Sequence, residues 1–241
     1  MSSSQSKSLR IAKKFPFLKS VYFFYNIYVR NFKYLFGGSQ FNEEKNILDL
    51  FERNYKGTYV DIGCFHPTKY SNTRKMYNTG WSGLNIDLNP ITIELFNFKR
   101  PKDINICAAL SNKIKKTKLY HHHDLSSQNT LSDNHVLWMK KNFGLNTLKT
   151  KIIKTKRLDS ILKKFKINNI DFLNIDIEGL ELEVMSTINF SKLNVKVICI
   201  ELLDYNKMQK KRKKKILNFL KNNKFKVVEK LRENYILKNR N

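Results

Sequence analysis

The 241-residue sequence predicts a doubly wound α/β domain with a mostly parallel sheet, a final antiparallel strand and an N-terminal helical arm. Three observations carry this expectation. Runs such as FLNID (172–176) and VICIE (197–201) are apolar on both faces, as strands buried in a parallel sheet must be. They alternate with helix-like segments at the spacing of βα units. Several of the runs end on an acid, at the strand end where such sheets bind ligands.

The elements follow in order. Residues 1–40 form a basic aromatic arm and 41–241 the main domain. The first ten residues are Ser-rich and are expected to be disordered. Ile11 to Phe36 is rich in Phe and Tyr, with Lys or Arg at 13, 14, 19, 30 and 33, and reads as one or two amphipathic helices starting near Pro16. Such a segment either packs its aromatic stripe on the domain or lies on an anionic membrane. Gly37-Gly38-Ser39 then marks a hinge. Strands are expected at 57–63, 82–90 and 103–111, with helices at 71–80 and 90–100, the latter opened by Pro90 where its missing N–H costs nothing. Added strands at 115–123 and 149–157 flank a polar segment, 124–148. A helix at 157–165, a strand at 171–179, a helix at 180–188 and a strand at 195–203 continue the alternation. A basic helix over 207–222 and strands at 225–230 and 234–238 close the chain.

Composition places the chain among globular proteins, at 41% hydrophobic residues. Its 46 Lys+Arg against 20 Asp+Glu give a formal charge of +26. That suits nucleic acid, phospholipid head groups or an acidic glycan. A coding bias toward Lys, Asn, Ile and Phe would produce the same excess, so charge alone names no substrate. Cys64, Cys107 and Cys199 cannot all be paired and sit in apolar or strand-like contexts, which indicates a reducing, cytoplasmic compartment. The start lacks a secretory pattern, and the longest uncharged aromatic run falls short of the ~20 residues that span a bilayer. A soluble or peripheral protein is expected.

The acids at strand tips direct the chemistry. They are Asp61 with Gly63, then Asp87, then Asp176, Glu178 and Gly179, and last Glu201. An acid there is costly unless it has a partner or ligand; acids that merely cap the following helices are the duller alternative. The first loop, D61-I-G63-C-F-H66-P67, lacks the glycines a pyrophosphate needs for close backbone approach. Asp87 is placed to accept hydrogen bonds from two ribose hydroxyls. An adenosine cofactor without a pyrophosphate, such as S-adenosylmethionine, satisfies both conditions.

Here the residues resemble a known family. YVDIGCFHPTKYSNTRKMYNTGWSGLNIDLNP (59–90) is similar to the signature of the FkbM-like S-adenosylmethionine-dependent methyltransferases, FLNIDIEGLELEVMSTINF (172–190) to their second block, and VKVICIELL (195–203) to their third. Order and spacing agree over about residues 46–203. The resemblance implies a Rossmann-like class I methyltransferase fold. By motif position it implies Asp61, Gly63 and Cys64 along the methionine side of the cofactor and Asp87 at the ribose. Ser71 and Asn72 open the next helix and can bind polar groups, and Ala108 and Ala109 leave room for adenine. It also implies O-methylation, with sugars of glycans, glycolipids or related metabolites as the acceptor class.

A sugar hydroxyl is barely acidic, so the site needs a base or a metal beside the attacking oxygen. Asp176, Glu178 and Glu201 are the candidate carboxylates, as general base or, for Asp176 and Glu178, as Mg²⁺ ligands. The metal-free base is the preferred reading. His66 is the imidazole candidate. His121-His122-His123-Asp124 is a poor zinc site, because neighbouring residues of a strand face alternate sides. One or two of these histidines lining the acceptor pocket beside Ser126, Ser127 and Asn129 is the better reading. Three rivals stay open: an RNA methyltransferase using the basic surface, a nicotinamide oxidoreductase, and a non-catalytic basic protein that binds lipid or nucleic acid.

Overall fold

The computed structural model describes Leu9 and residues 15–121, 126, 129–144, 148–177 and 179–240. Ten strands are described: β1 Thr58–Ile62, β2 Ser82–Asp87, β3 Ile104–Cys107, β4 Ala109–Leu110, β5 Lys116–His121, β6 Lys149–Lys156, β7 Asn169–Ile175, β8 Asn194–Glu201, β9 Phe225–Leu231 and β10 Asn234–Asn239. Seven form one sheet in the order β3-β2-β1-β7-β8-β10-β9. Neighbours from β3 through β8 are parallel, and β10 runs antiparallel to both β8 and β9. The expected doubly wound, mostly parallel sheet is present. The strand order reverses between β1 and β7, so the carboxyl ends part there and open a crevice.

The central strands are buried on both faces because their residues alternate between two cores. Val60, Ile62, Leu173, Ile175, Ile198 and Ile200 pack on one side, under Val184, Met185, Ile216 and Leu220. Tyr59, Phe172, Val197 and Cys199 pack on the other, with Ile47, Met76 and Trp81. Gly83 belongs to this second layer, since a Cβ there would collide with the Tyr59 ring.

Three expectations are corrected. The run 103–111 is not one strand. It breaks at Ala108, whose N–H donates to the Asp87 carbonyl, and its second half joins a small sheet ordered β4-β6-β5. The segment 71–80 is helical only over Arg74–Asn78, with turns on both sides. Gly38 is not a free hinge: its carbonyl accepts from Ser71 N, and a Cβ there would meet Arg74 and the Ser71 carbonyl.

The arm forms an α-helix over Pro16–Phe24, a wider π-helical turn over Tyr25–Arg30 and a 3-10 turn over Phe32–Leu35. Leu9, Phe23 and Ile27 pack against Ile91 and Leu95 of the Pro90–Lys99 helix. Lys19 pairs with Glu94 of that helix. Among the described residues, no helix is long and apolar enough to cross a membrane.

Candidate active site

A cavity of about 310 Å³ opens at the crevice between the ends of β1 and β7. Its wall includes Asp61, Gly63, Cys64, Ser71, Asn72, Asp87, Ala108, Ala109, Asp176 and Glu201. The fold thus gathers residues 140 positions apart, counted from Asp61 to Glu201. Gly63 is demanded by the geometry. Its φ of +80° favours glycine, and a Cβ would overlap the Asp176 carbonyl oxygen where β7 turns away. At Gly63 the first loop therefore brings bare backbone to the cavity wall, beside Cys64 and Phe65.

Asp61 is buried and hydrogen-bonded at both oxygens. Thr73 Oγ1 donates to its Oδ2 at 2.7 Å, and Asn174 Nδ2 donates to its Oδ1 at 2.9 Å. Asn174 sits opposite Asp61 in the parallel register, and it also accepts from Asn72 Nδ2 at 3.0 Å. Burial raises the Asp61 pKa, against the pull of those two hydrogen bonds and the Arg100 charge. Arg100 is the hub beneath. It is 1% exposed and donates to Thr73 Oγ1, Ser71 Oγ, the Pro67 carbonyl and Tyr59 Oη. Tyr59 in turn donates to Asp103. The guanidinium reaches two carboxylates, each through one hydroxyl, and this satisfies a charge that would otherwise be very costly to bury.

Asp87 ends β2 with a different set. Its two oxygens accept from Asn89 N at 2.7 Å and Phe65 N at 3.1 Å, and each keeps a lone pair for another donor. Burial lifts its pKa to about 6.

Glu201 ends β8 without a hydrogen bond to its carboxylate among the described residues. Burial, followed by the charges of Glu181, Glu233 and Glu43, pushes its pKa up to about 7. Glu43 is itself fully buried and accepts from Phe41 N and Asn234 Nδ2. Glu181 pairs with Arg212. Glu201 also lines a second cavity of about 430 Å³, bounded by Ser132, His135, Glu181 and the Lys207–Asn222 helix, which contributes Lys211, Arg212 and Lys215. A single carboxylate stands where the two cavities meet.

His66 is a correction. It is absent from both cavity walls. Its Nδ1 accepts from Thr68 N at 3.1 Å and Lys69 N at 3.0 Å, so the proton is on Nε2, which faces Asn26 Oδ1 at 3.0 Å. Burial, helped by the Lys69, Arg100 and Arg30 charges, depresses its pKa to about 3. This ring ties the first loop to the arm and has no lone pair for a substrate proton.

Asp176 lies exposed on the rim, and its N–H donates to the Ile62 carbonyl. Glu178 lies outside the described residues, as do His122, His123, Asp124 and Ser127. Ser126 and Asn129 line the first cavity, whereas His121 lines neither. Among the described residues, no three His, Cys, Asp or Glu side chains are grouped to hold a metal ion.

Sequence reasoning passes over Arg100, Asn174 and Glu43. Asn174 had a signal, as a polar residue inside an otherwise apolar strand. Arg100 and Glu43 read as ordinary helix-end charges.

The pattern of residues has a counterpart among known proteins. The family model described as "Methyltransferase FkbM domain" matches residues 57–227, more than half of the chain. No curated protein matches the chain.

Proposed function

The chain belongs to the FkbM methyltransferase family, and from that premise we propose that it is an S-adenosylmethionine-dependent O-methyltransferase acting on a sugar hydroxyl of a glycan or glycolipid. The observation that carries the reading is Glu201, which lines both the crevice cavity and the neighbouring basic cavity.

The crevice residues fit the cofactor. Asp87 has two lone pairs left for ribose hydroxyls, Gly63 and Cys64 offer backbone without bulk, and Ala108 and Ala109 leave room for a flat ring. The loop's lack of further glycines suits a ligand that has no pyrophosphate. Bound there, S-adenosylmethionine supplies an electrophilic methyl group on its sulfonium.

The chain's own work is to place the acceptor and take its proton. Glu201, with a pKa near neutrality, is ionised in part at pH 7 and basic enough to accept a proton from a hydroxyl as the oxygen attacks. Its surroundings favour the product state, because the protonated carboxyl is uncharged beside Glu181, Glu233 and Glu43. Ser126 and Asn129 on the cavity wall are suited to hydrogen-bonding sugar hydroxyls. Asp61, Asn174 and Arg100 hold the floor rigid and do not exchange protons with substrate.

Calorimetric titration of the purified chain with S-adenosylmethionine, and NADH as control, tests the first half. Micromolar binding of the former and none of the latter is expected; the opposite result overturns the reading. Radiolabelled methyl transfer to glycan or glycolipid extracts tests the second half. Label appearing in RNA instead would overturn the acceptor class while leaving the cofactor in place.

A further inference from the structure

The arm carries more apolar surface than its packing uses. The Pro16–Phe24 helix is apolar around most of its circumference, yet only one side, through Phe23, packs on the domain. Phe17, Val21 and Phe24, spaced four and then three residues apart, share the opposite face. They are exposed, with Phe17 at 77%. Val29, Phe32 and Phe36 extend the exposed apolar surface past the helix end, and the Phe32 and Phe36 rings meet edge to face at 5.2 Å. A row of outward aromatics this long exceeds the scattered single residues usual on a protein surface. Exposed Arg30 and Lys33 sit between them.

The row also leads to the cavity. Tyr34 meets Tyr70 edge to face at 5.2 Å, the Lys69 ammonium lies over the Tyr70 ring at 4.8 Å, and both Lys69 and Tyr70 line the crevice cavity. Whatever covers the aromatic row therefore lies beside the mouth of the site.

We infer that this face docks the protein on the surface of an anionic phospholipid bilayer, with the aromatic row in the head-group layer and Arg30 and Lys33 on the lipid phosphates. Charge decides between the two occupants an apolar face can have. A second copy would bring another +26 toward the first, whereas an anionic bilayer attracts it. Aromatic and basic residues together are what the interface between head groups and acyl chains accommodates. The helix is too short to span a bilayer, so it lies in the surface plane. This inference rests on the arm and the chain's charge and does not depend on the methyl-transfer reading.

The test is co-sedimentation of the full chain with vesicles of phosphatidylcholine plus phosphatidylglycerol, against vesicles of phosphatidylcholine alone, at two salt concentrations. Binding is expected to the anionic vesicles only, and to weaken as salt rises. Phe17→Glu with Phe24→Glu should lower the bound fraction at least tenfold with an unchanged circular dichroism spectrum, since both side chains point outward. Arg30→Glu with Lys33→Glu should lower it severalfold while leaving the aromatics in place. Absence of binding overturns the inference. So does binding that survives the Phe pair, which would assign attachment to the overall charge. Sedimentation equilibrium supplies the last arm: a dimer that the Phe pair dissociates would make this face a subunit interface instead.

Discussion

Asp61 and Glu201 both sit at carboxyl ends of parallel strands on the wall of one cavity, and their surroundings differ in kind. Around Asp61 every polar group has a counterpart. Thr73 and Asn174 occupy its oxygens, and Arg100 stands one hydroxyl away. The charges that raise the Glu201 pKa are Glu181, Glu233 and Glu43, all of its own sign, although Lys211 and Arg212 line the second cavity it faces. One acid completes a network, and the other stands beside carboxylates that push its pKa up. On the proposed reading the contrast separates scaffold from chemistry: Asp61 is held at both oxygens by Thr73 and Asn174 beneath the loop, while Glu201, held near neutrality, is suited to take a substrate proton.

The sharpest way to break that contrast is to neutralise each acid in turn. Glu201→Gln should lower kcat by about 10²–10⁴-fold, the usual worth of a general base, while calorimetry finds S-adenosylmethionine binding unchanged. Unaltered turnover would remove Glu201 from the chemistry. On the other side, Arg100→Met should destabilise the fold by about 3–5 kcal/mol in urea denaturation, because it strands the hydroxyls and carboxylates it joins. A loss well under 1 kcal/mol would mean the network holds nothing together. Asp87→Asn should weaken S-adenosylmethionine by about tenfold, roughly the 1–1.5 kcal/mol of lost hydrogen bonding, with stability little changed.

The pH dependence sharpens the same contrast with smaller effects. On the general-base reading turnover requires ionised Glu201, so kcat/KM should rise with pH through about 7, and the Glu201→Gln variant should lose that inflection. Stability runs the other way for this group. Its folded pKa is raised from 4.5, so between about 4.5 and 7 the fold keeps a proton the unfolded chain has released, and stability falls as pH rises across that window. His66 has the opposite sign. Its folded pKa is depressed from 6.5 to about 3, so the unfolded chain takes up a proton first and stability falls as pH drops below 6.5. Melting temperatures of wild type and His66→Gln across pH 4–7 distinguish this: the acid-side loss should be smaller in the variant.

Much of the molecule was legible from its residues. Short, largely apolar runs ending on an acid identified β1, β2, β7 and β8. Gly63 was legible through what a tight turn requires, and Asp87 as an acid at the end of a strand. His66 was misread, since a loop histidine looks the same whether its ring faces a pocket or caps Thr68 and Lys69. The break at Ala108 was invisible because the apolar run continues through it and only the β4–β6 pairing redirects it.

What the sequence by itself determined is the order of elements, the doubly wound class and the row of acids at strand ends, all of which follow from local pattern and backbone sterics. What only the tertiary structure decided is the character of each acid. Asn174 meets Asp61 through strand register, Arg100 reaches Thr73 by folding back beneath the loop, and Glu43 comes to Glu201 from before the first strand. Proton affinity depends on burial and on charges a few ångströms away, and those neighbours lie scores of residues apart along the chain.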